Sequence, residues 1–164
     1  MKVKILYFDD IFSNLFRKEH KETDLVWDDN WVNSLENALT DSNDRLGVNF
    51  SLVKSGEIES WKRIVEEEKP DVILMDYYWP EQALKKYGDR KRGDEISMDA
   101  LREIRQSFPD LPVISYTIKP DRKVLDTAYG NGVTFFLKKV SMAVPEVHDA
   151  LKYIILYLLR NKSG

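Results

Sequence analysis

Asp71-Val72-Ile73-Leu74-Met75-Asp76-Tyr77-Tyr78-Trp79-Pro80 is the stretch on which the reading of this chain turns. Its apolar run lacks the alternation of a half-exposed strand and is closed by the breaker pair Trp79-Pro80. Such a run reads as a strand buried on both faces, the central-strand pattern of a parallel sheet. Asp76 then stands at the carboxyl edge of the sheet, where open α/β folds hold their ligands. The segment Val3 to Phe8 ends in the same way, in Asp9-Asp10. Leu111 to Tyr116 reads as a third buried strand ending in Thr117, and Val133 to Leu137 as a fourth that runs out at Lys138-Lys139.

Between these runs lie helical periods. Ile58, Trp61, Ile64 and Val65 share one helix face, as do Leu101, Ile104 and Phe108, and Gly130 and Gly132 read as helix stops. Val48, Phe50 and Leu52 alternate with Asn49 and Ser51, which suits an edge strand. The spacing predicts strands at 2–8, 48–54, 71–76, 112–117 and 133–137, and helices near 31–42, 57–68, 98–107, 121–130 and 145–160. Strands alternating with helices imply right-handed crossovers and a parallel sheet. The expected fold is α/β, a flavodoxin-like, doubly wound, five-stranded parallel sheet of order 2-1-3-4-5, formed by 1–164 as a single domain. That order sets the first and third strands side by side, where Asp9, Asp10 and Asp76 must meet.

Composition narrows the function classes. With 43% hydrophobic and 32% charged residues the chain is of ordinary globular type, and a net charge of −3 supplies no basic face for direct nucleic-acid binding. The absence of cysteine rules out disulfides and thiolate metal sites and accords with a cytoplasmic setting. No secretory signal is visible, and Tyr153 to Leu159, the most apolar late segment, is too short to span a bilayer. No attached effector domain is expected within these residues.

Three carboxylates brought to one edge repel one another, so each resists ionising beside the others. A hard divalent cation resolves this, and Mg²⁺ suits one or two carboxylates together with waters and phosphate oxygens. With a hydroxyl (Thr117) and an ammonium (Lys139) at neighbouring strand ends, the set amounts to a phosphoryl-transfer site. The carboxylate attacks phosphorus, metal and lysine neutralise the equatorial oxygens, and the hydroxyl donates to one of them. Taken singly, an Asp at a strand end commonly caps the next helix or turn.

Acid pair, single Asp, Thr and Lys at successive strand ends resemble the receiver domain of two-component response regulators, over nearly the whole chain. The resemblance implies that Asp76 is the phosphoacceptor. It makes Asp9, Asp10, Asp76 and the Tyr78 backbone carbonyl the Mg²⁺ ligands, Thr117 the switch hydroxyl, Lys139 the family's lysine, and Phe136 the switch aromatic. Pro80 matches the proline four residues after the phosphoacceptor, and Met98-Asp99 the start of the family's third helix. It implies a phosphorelay partner, a histidine kinase or phosphotransfer protein, and an output face built from the family's fourth helix, fifth strand and fifth helix. Such a domain is autocatalytic in its own phosphorylation and has no turnover substrate, so it is not expected to be an enzyme. Tyr153, Leu156 and Tyr157 widen the apolar stripe of the last helix and suggest a partner or homodimer face.

The chain departs from that pattern in two segments, near 11–30 and 81–97, which read as insertions at the carboxyl edge. A lid over the site or a docking surface is the expected role. Ile118 stands where receivers carry a small residue, and Tyr78 and Lys119 where the family tunes dephosphorylation. An aromatic and a long cation there are expected to hinder water, giving a persistent phosphorylated state. The alternative is a receiver-like interaction module that is not phosphorylated. A haloacid-dehalogenase-type hydrolase with Asp9 as nucleophile is disfavoured, because it wants a second Asp where Ile11 stands.

Overall fold

Val72–Asp76 lies wholly buried in the middle of a five-stranded, all-parallel sheet. The structure is a computed structural model describing residues 1–41, 46–139 and 144–161. Its strands are β1 (Lys2–Phe8), β2 (Asn49–Ser55), β3 (Val72–Asp76), β4 (Val113–Thr117) and β5 (Phe135–Lys138). They pair in the order β2-β1-β3-β4-β5, as the strand pattern predicts. The helices are α1 (Asn14–Glu19), α2 (Glu22–Thr40), α3 (Trp61–Glu68), α4 (Pro80–Tyr87), α5 (Gly93–Ser107), α6 (Arg122–Gly130) and α7 (Pro145–Asn161). No helix among the described residues is long and apolar enough to cross a membrane.

The two-residue period of the strands sorts their side chains into two cores. Val3, Ile5, Tyr7, Val72, Leu74, Ile114 and Tyr116 face α2 and α7, which bring Leu35, Leu39, Leu151 and Ile155. Leu6, Phe8, Ile73, Met75 and Val113 face α3, α5 and α6, which bring Trp61, Leu101, Ile104 and Ala128. Burying each such aliphatic side chain is favourable by ~1.5–3 kcal/mol, so the central strands carry much of the driving force. β2 is the half-exposed edge that its alternation indicates. β5 holds the edge position that the expected order gives it, but it is less buried than its apolar run suggests, with Phe135, Phe136 and Leu137 only half-buried. Its neighbour β4 covers one side of it, and among the described residues no strand covers the other.

The two insertions are helical rather than loops. A helix expected to begin near 31 begins at Glu22, and its expected end at 42 lies outside the described residues. The first turns carry one buried apolar residue, Leu25, so the apolar period there is sparse, while Glu22 and Asp24 suit the positive end of the helix dipole. Ser13 caps α1 by accepting from the Leu15 N–H. In the second insertion Pro80 opens α4, Gly88 closes it at φ 72, and α5 starts at Gly93 rather than Met98. The excursion closes on itself, for the Trp79 N–H donates to the Gly93 carbonyl at 3.1 Å.

The insertions also hold each other. Gln82 Nε2 donates to Ser13 Oγ at 3.0 Å, and Arg90 spans Glu81 at 3.1 Å and Glu19 at 3.8 Å. The basic run 85–92 is thus partly paired within the cap, with Arg92 on Glu95 at 2.6 Å as well. Beneath this cap the turn after β2 passes so close that a Cβ on Gly56 would lie 2.3 Å from the Ser13 backbone nitrogen. Gly56→Ala is therefore expected to destabilise the fold by about 1–3 kcal/mol, the ordinary cost of overpacking. Urea unfolding measures it, and an unchanged midpoint would show that the cap sits loosely on this turn.

Candidate functional site

Asp9 and Asp10 follow β1, Asp76 ends β3, Thr117 ends β4, and Lys139 follows β5. All five side chains are buried. Because β1 and β3 are adjacent, one carboxylate oxygen from each of Asp9, Asp10 and Asp76 falls within 4.8 Å of the others. Lys139 Nζ reaches Asp9 Oδ2 at 3.3 Å and Asp76 Oδ2 at 3.7 Å. The expected capping role of Asp9 is also present, since its Oδ1 accepts from the Ile11 N–H at 3.1 Å.

A cleft of about 410 Å³ opens over the site, lined in part by Asp10, Asp76, Thr117 and Lys139. Tyr78, Ile118 and Lys119 line its mouth, with Tyr78 and Ile118 40% and 50% exposed. Phe136 lies elsewhere, half-buried and edge-on to Tyr77 at 6.1 Å. Trp79 holds the exit of β3 by donating Nε1–H to the Asp76 carbonyl at 2.8 Å.

Four further residues shape the site without standing out in the sequence. Tyr7 and Tyr116 donate their hydroxyls to Asp9 Oδ2 at 3.2 and 2.5 Å. Trp31 of α2 lays its ring 5.3 Å from Lys139 Nζ, within cation–π range. Asp28, one helical turn before Trp31, lines the cleft together with Phe16 of α1. Tyr7 was legible in principle, since strand period places residues 7 and 9 on one face. Asp28 lies in the insertion, where nothing local marks it, and Trp31 reads only as the start of the helix expected near 31–42.

The electrostatics follow from burial and crowding. Burial, then the charges of Asp76 and Asp9, push the Asp10 carboxyl up to about 10. Burial lifts Asp76 to about 7, with Lys139 pulling down against it and Asp9 pushing further up. For Asp9 burial also pushes upward, but Lys139, the Tyr116 hydroxyl, Asp10 and the Ile11 N–H together bring it below the usual carboxylate range. Lys139 moves above its ordinary value, because the charges of Asp76, Asp9 and Asp10 outweigh burial. Asp10 and Asp76 are thus held toward their neutral forms, because one lysine does not compensate three ionised carboxylates. A hard, oxygen-seeking divalent cation fits that donor set.

No protein-family model matches the chain, and no curated protein matches it. Solved structures do. A protein assigned as a response regulator from Chloroflexus aurantiacus aligns with a TM-score of 0.63 at 16% identity, over 98% of this chain and 99% of that one. The response regulator domain of Thermotoga maritima CheB gives 0.59 at 18%, over 98% of each. The receiver domain of NtrX from Brucella abortus gives 0.57 at 17%, over 93% of this chain and 98% of that one. The chain has the receiver-domain fold of two-component response regulators.

The two raised carboxyl groups of the acid cluster predict a pH dependence, and the raised Asp28 adds to it in the same direction. Unfolded, Asp10 and Asp76 have lost their protons by about pH 5. Folded, they keep them toward about 10 and about 7, so the native state binds more protons and stability falls as pH rises. Asp9 and Lys139 hold constant charge between pH 5 and 8 in both states and add no slope. In metal-free buffer the melting temperature should drop from about pH 5.5 to 8, each retained proton contributing up to ~1.4 kcal/mol per pH unit. Millimolar Mg²⁺ should flatten the profile, and a metal-free melting temperature that rises over this range contradicts it.

Proposed function

We propose that residues 1–164 act as one phosphorylatable receiver, accepting phosphate on Asp76 from the phosphohistidine of a histidine kinase or phosphotransfer protein. The observation that carries this reading is a buried Asp76 that shares a solvent-open cleft with Asp10, Thr117 and Lys139. Asp9, Asp10, Asp76 and the Tyr78 carbonyl would hold Mg²⁺, which supplies charge neutralisation of the phosphoryl oxygens. Asp76 attacks phosphorus, the Thr117 hydroxyl donates to a phosphoryl oxygen, and Lys139 offsets the charge that builds there. The donor histidine leaves with the electron pair of the broken P–N bond, and no turnover substrate is consumed.

Output on this reading is a population shift on the α6–β5–α7 face, where Phe136 lies. Tyr153 and Tyr157 stand 61% and 66% exposed on α7 and suit a protein partner or a second copy, whereas Leu156 is half-buried against the core. The unphosphorylated alternative is favoured by one feature, the helical cap that sets Phe16 and Pro80 into the cleft lining. Beryllofluoride with Mg²⁺ separates the two readings. It should raise the melting temperature through linkage if the site accepts a phosphoryl group, and leave it unmoved at saturation if the cap occludes the site.

Asp76→Asn should abolish labelling by a small phosphodonor while keeping the fold, since it removes the nucleophile and preserves the shape. Labelling of that variant at the wild-type rate would assign the phosphate to another residue. Crowding at the mouth predicts a second kinetic effect. Ile118→Ala combined with Tyr78→Asn should speed labelling and phosphate loss together, because donor and water share one opening. Equal rates in wild type and the double variant would show that these side chains do not gate the cleft.

A further inference from the structure

Asp28 is the one carboxylate that the inserted helices deliver to the cleft of Asp76. Its placement is fixed by the rotation of α2. Leu25, Trp31, Val32 and Leu35 bury one face of that helix, and the Trp31 ring is set against Lys139. Residues three apart share a helix face, so anchoring Trp31 turns Asp28 toward the same site. The next acid, Asp29, pairs with Arg17 at 2.6 Å. Asp28 makes no ion pair or hydrogen bond among the described residues, although it is half-buried. Burial raises its carboxyl from the ordinary value, and Lys139 is the strongest influence in the opposite direction.

Resting on the receiver reading, we propose that Asp28 is the base that orients the water attacking an acyl phosphate on Asp76. None of the residues at the mouth supplies such a group. Tyr78 and Ile118 cannot accept a proton from water at neutral pH, and the Lys119 side chain offers donors rather than an acceptor. Phe16, Ile11 and Ile118 make the apolar part of the lining, and its other carboxylates, Asp10 and Asp76, belong to the acid cluster, which leaves Asp28 as the carboxylate placed to hold a water. In the step, the water oxygen bonds to phosphorus while the bond from phosphorus to Asp76 breaks. The electron pair returns to the Asp76 carboxylate, and the proton of the water passes to Asp28. Inorganic phosphate and the original Asp76 result, and Asp28 returns its proton to solvent. A carboxylate there favours loss of the phosphoryl group over its arrival, since its charge repels an incoming phosphodonor. The expectation of a persistent phosphorylated state, drawn from the mouth residues alone, therefore omits a group that shortens it.

The test labels wild type, Asp28→Asn and Asp28→Glu with phosphoramidate and Mg²⁺, removes the donor by gel filtration, and follows the phosphoprotein over time. Asp28→Asn should lose phosphate at least about tenfold more slowly, the low end of a general-base contribution, while labelling no slower than wild type. Asp28→Glu should recover part of the loss rate, which a purely structural role does not predict. Beryllofluoride binding, read by thermal melt, checks that each variant keeps its site. Phosphate loss from Asp28→Asn at the wild-type rate overturns the inference. So does acceleration of labelling and loss together, which would make Asp28 an electrostatic gate. A wild-type chain that takes no label overturns the proposed function and this step with it, whereas a labelled wild type with unchanged decay in the variants overturns this step alone.

Discussion

One ammonium group makes the carboxyl edge of this sheet tenable. Lys139 stands between Asp9 and Asp76, and both carboxylates are buried with it. A buried charge without a partner is costly enough to be neutralised or to disrupt the fold. Removing the lysine would leave three adjacent acids with no cation among the described side chains near enough to compensate. The placement of β5 beside β4 therefore matters less for the core, which β5 only half enters, than for bringing position 139 to the acids.

That ammonium is itself held from several directions. Asp9 Oδ2 accepts Lys139 together with the hydroxyls of Tyr7 and Tyr116, and the rings of Trp31 and Tyr116 stand 5.3 and 5.5 Å from the ammonium. Asp9 stays charged because its donors outnumber what burial removes, while Asp10, with fewer, is pushed toward its neutral form. Three acids of the same type thus reach different protonation states through their surroundings, the usual way a fold separates the roles of like groups. The tyrosines also link the edge to the core shared with α2 and α7, so a shift of Lys139 toward a phosphoryl group would be felt on that side of the sheet.

The insertions change the character of the site rather than its frame. Joined through Ser13–Gln82 and through Arg90, they form one helical cap above an otherwise ordinary sheet. The cap narrows the cleft with Phe16 and adds Asp28 to its lining. The mouth residues Tyr78, Ile118 and Lys119 come from the sheet's own loops, whereas Phe16 and Asp28 come from the cap, so the cleft lining is drawn from both parts of the fold.

What the sequence determined by itself was the sheet and the identity of its edge groups. Val72 to Met75 is apolar without alternation because both faces of β3 are covered, and that pattern needs no partner to be read. Strand ends are marked locally by Asp10, Asp76, Thr117 and Lys139, so the acids, hydroxyl and lysine were legible, and strand order followed from connection rules. The burial of β5 was overestimated because Phe135, Phe136 and Leu137 are as apolar as a central strand, although the order 2-1-3-4-5 already set β5 at the edge, where they are only half-buried. The segments 11–30 and 81–97 looked like loops because their helices are short or open with few apolar residues, and their buried positions include the polar Ser13, Glu81 and Gln82. Only the tertiary structure decided that these segments are helices, that they bind each other, and that Asp28 and Trp31 face the acids. Such facts depend on how α2 rotates when its buried face docks on the sheet, a contact between residues far apart in the chain that no local pattern encodes.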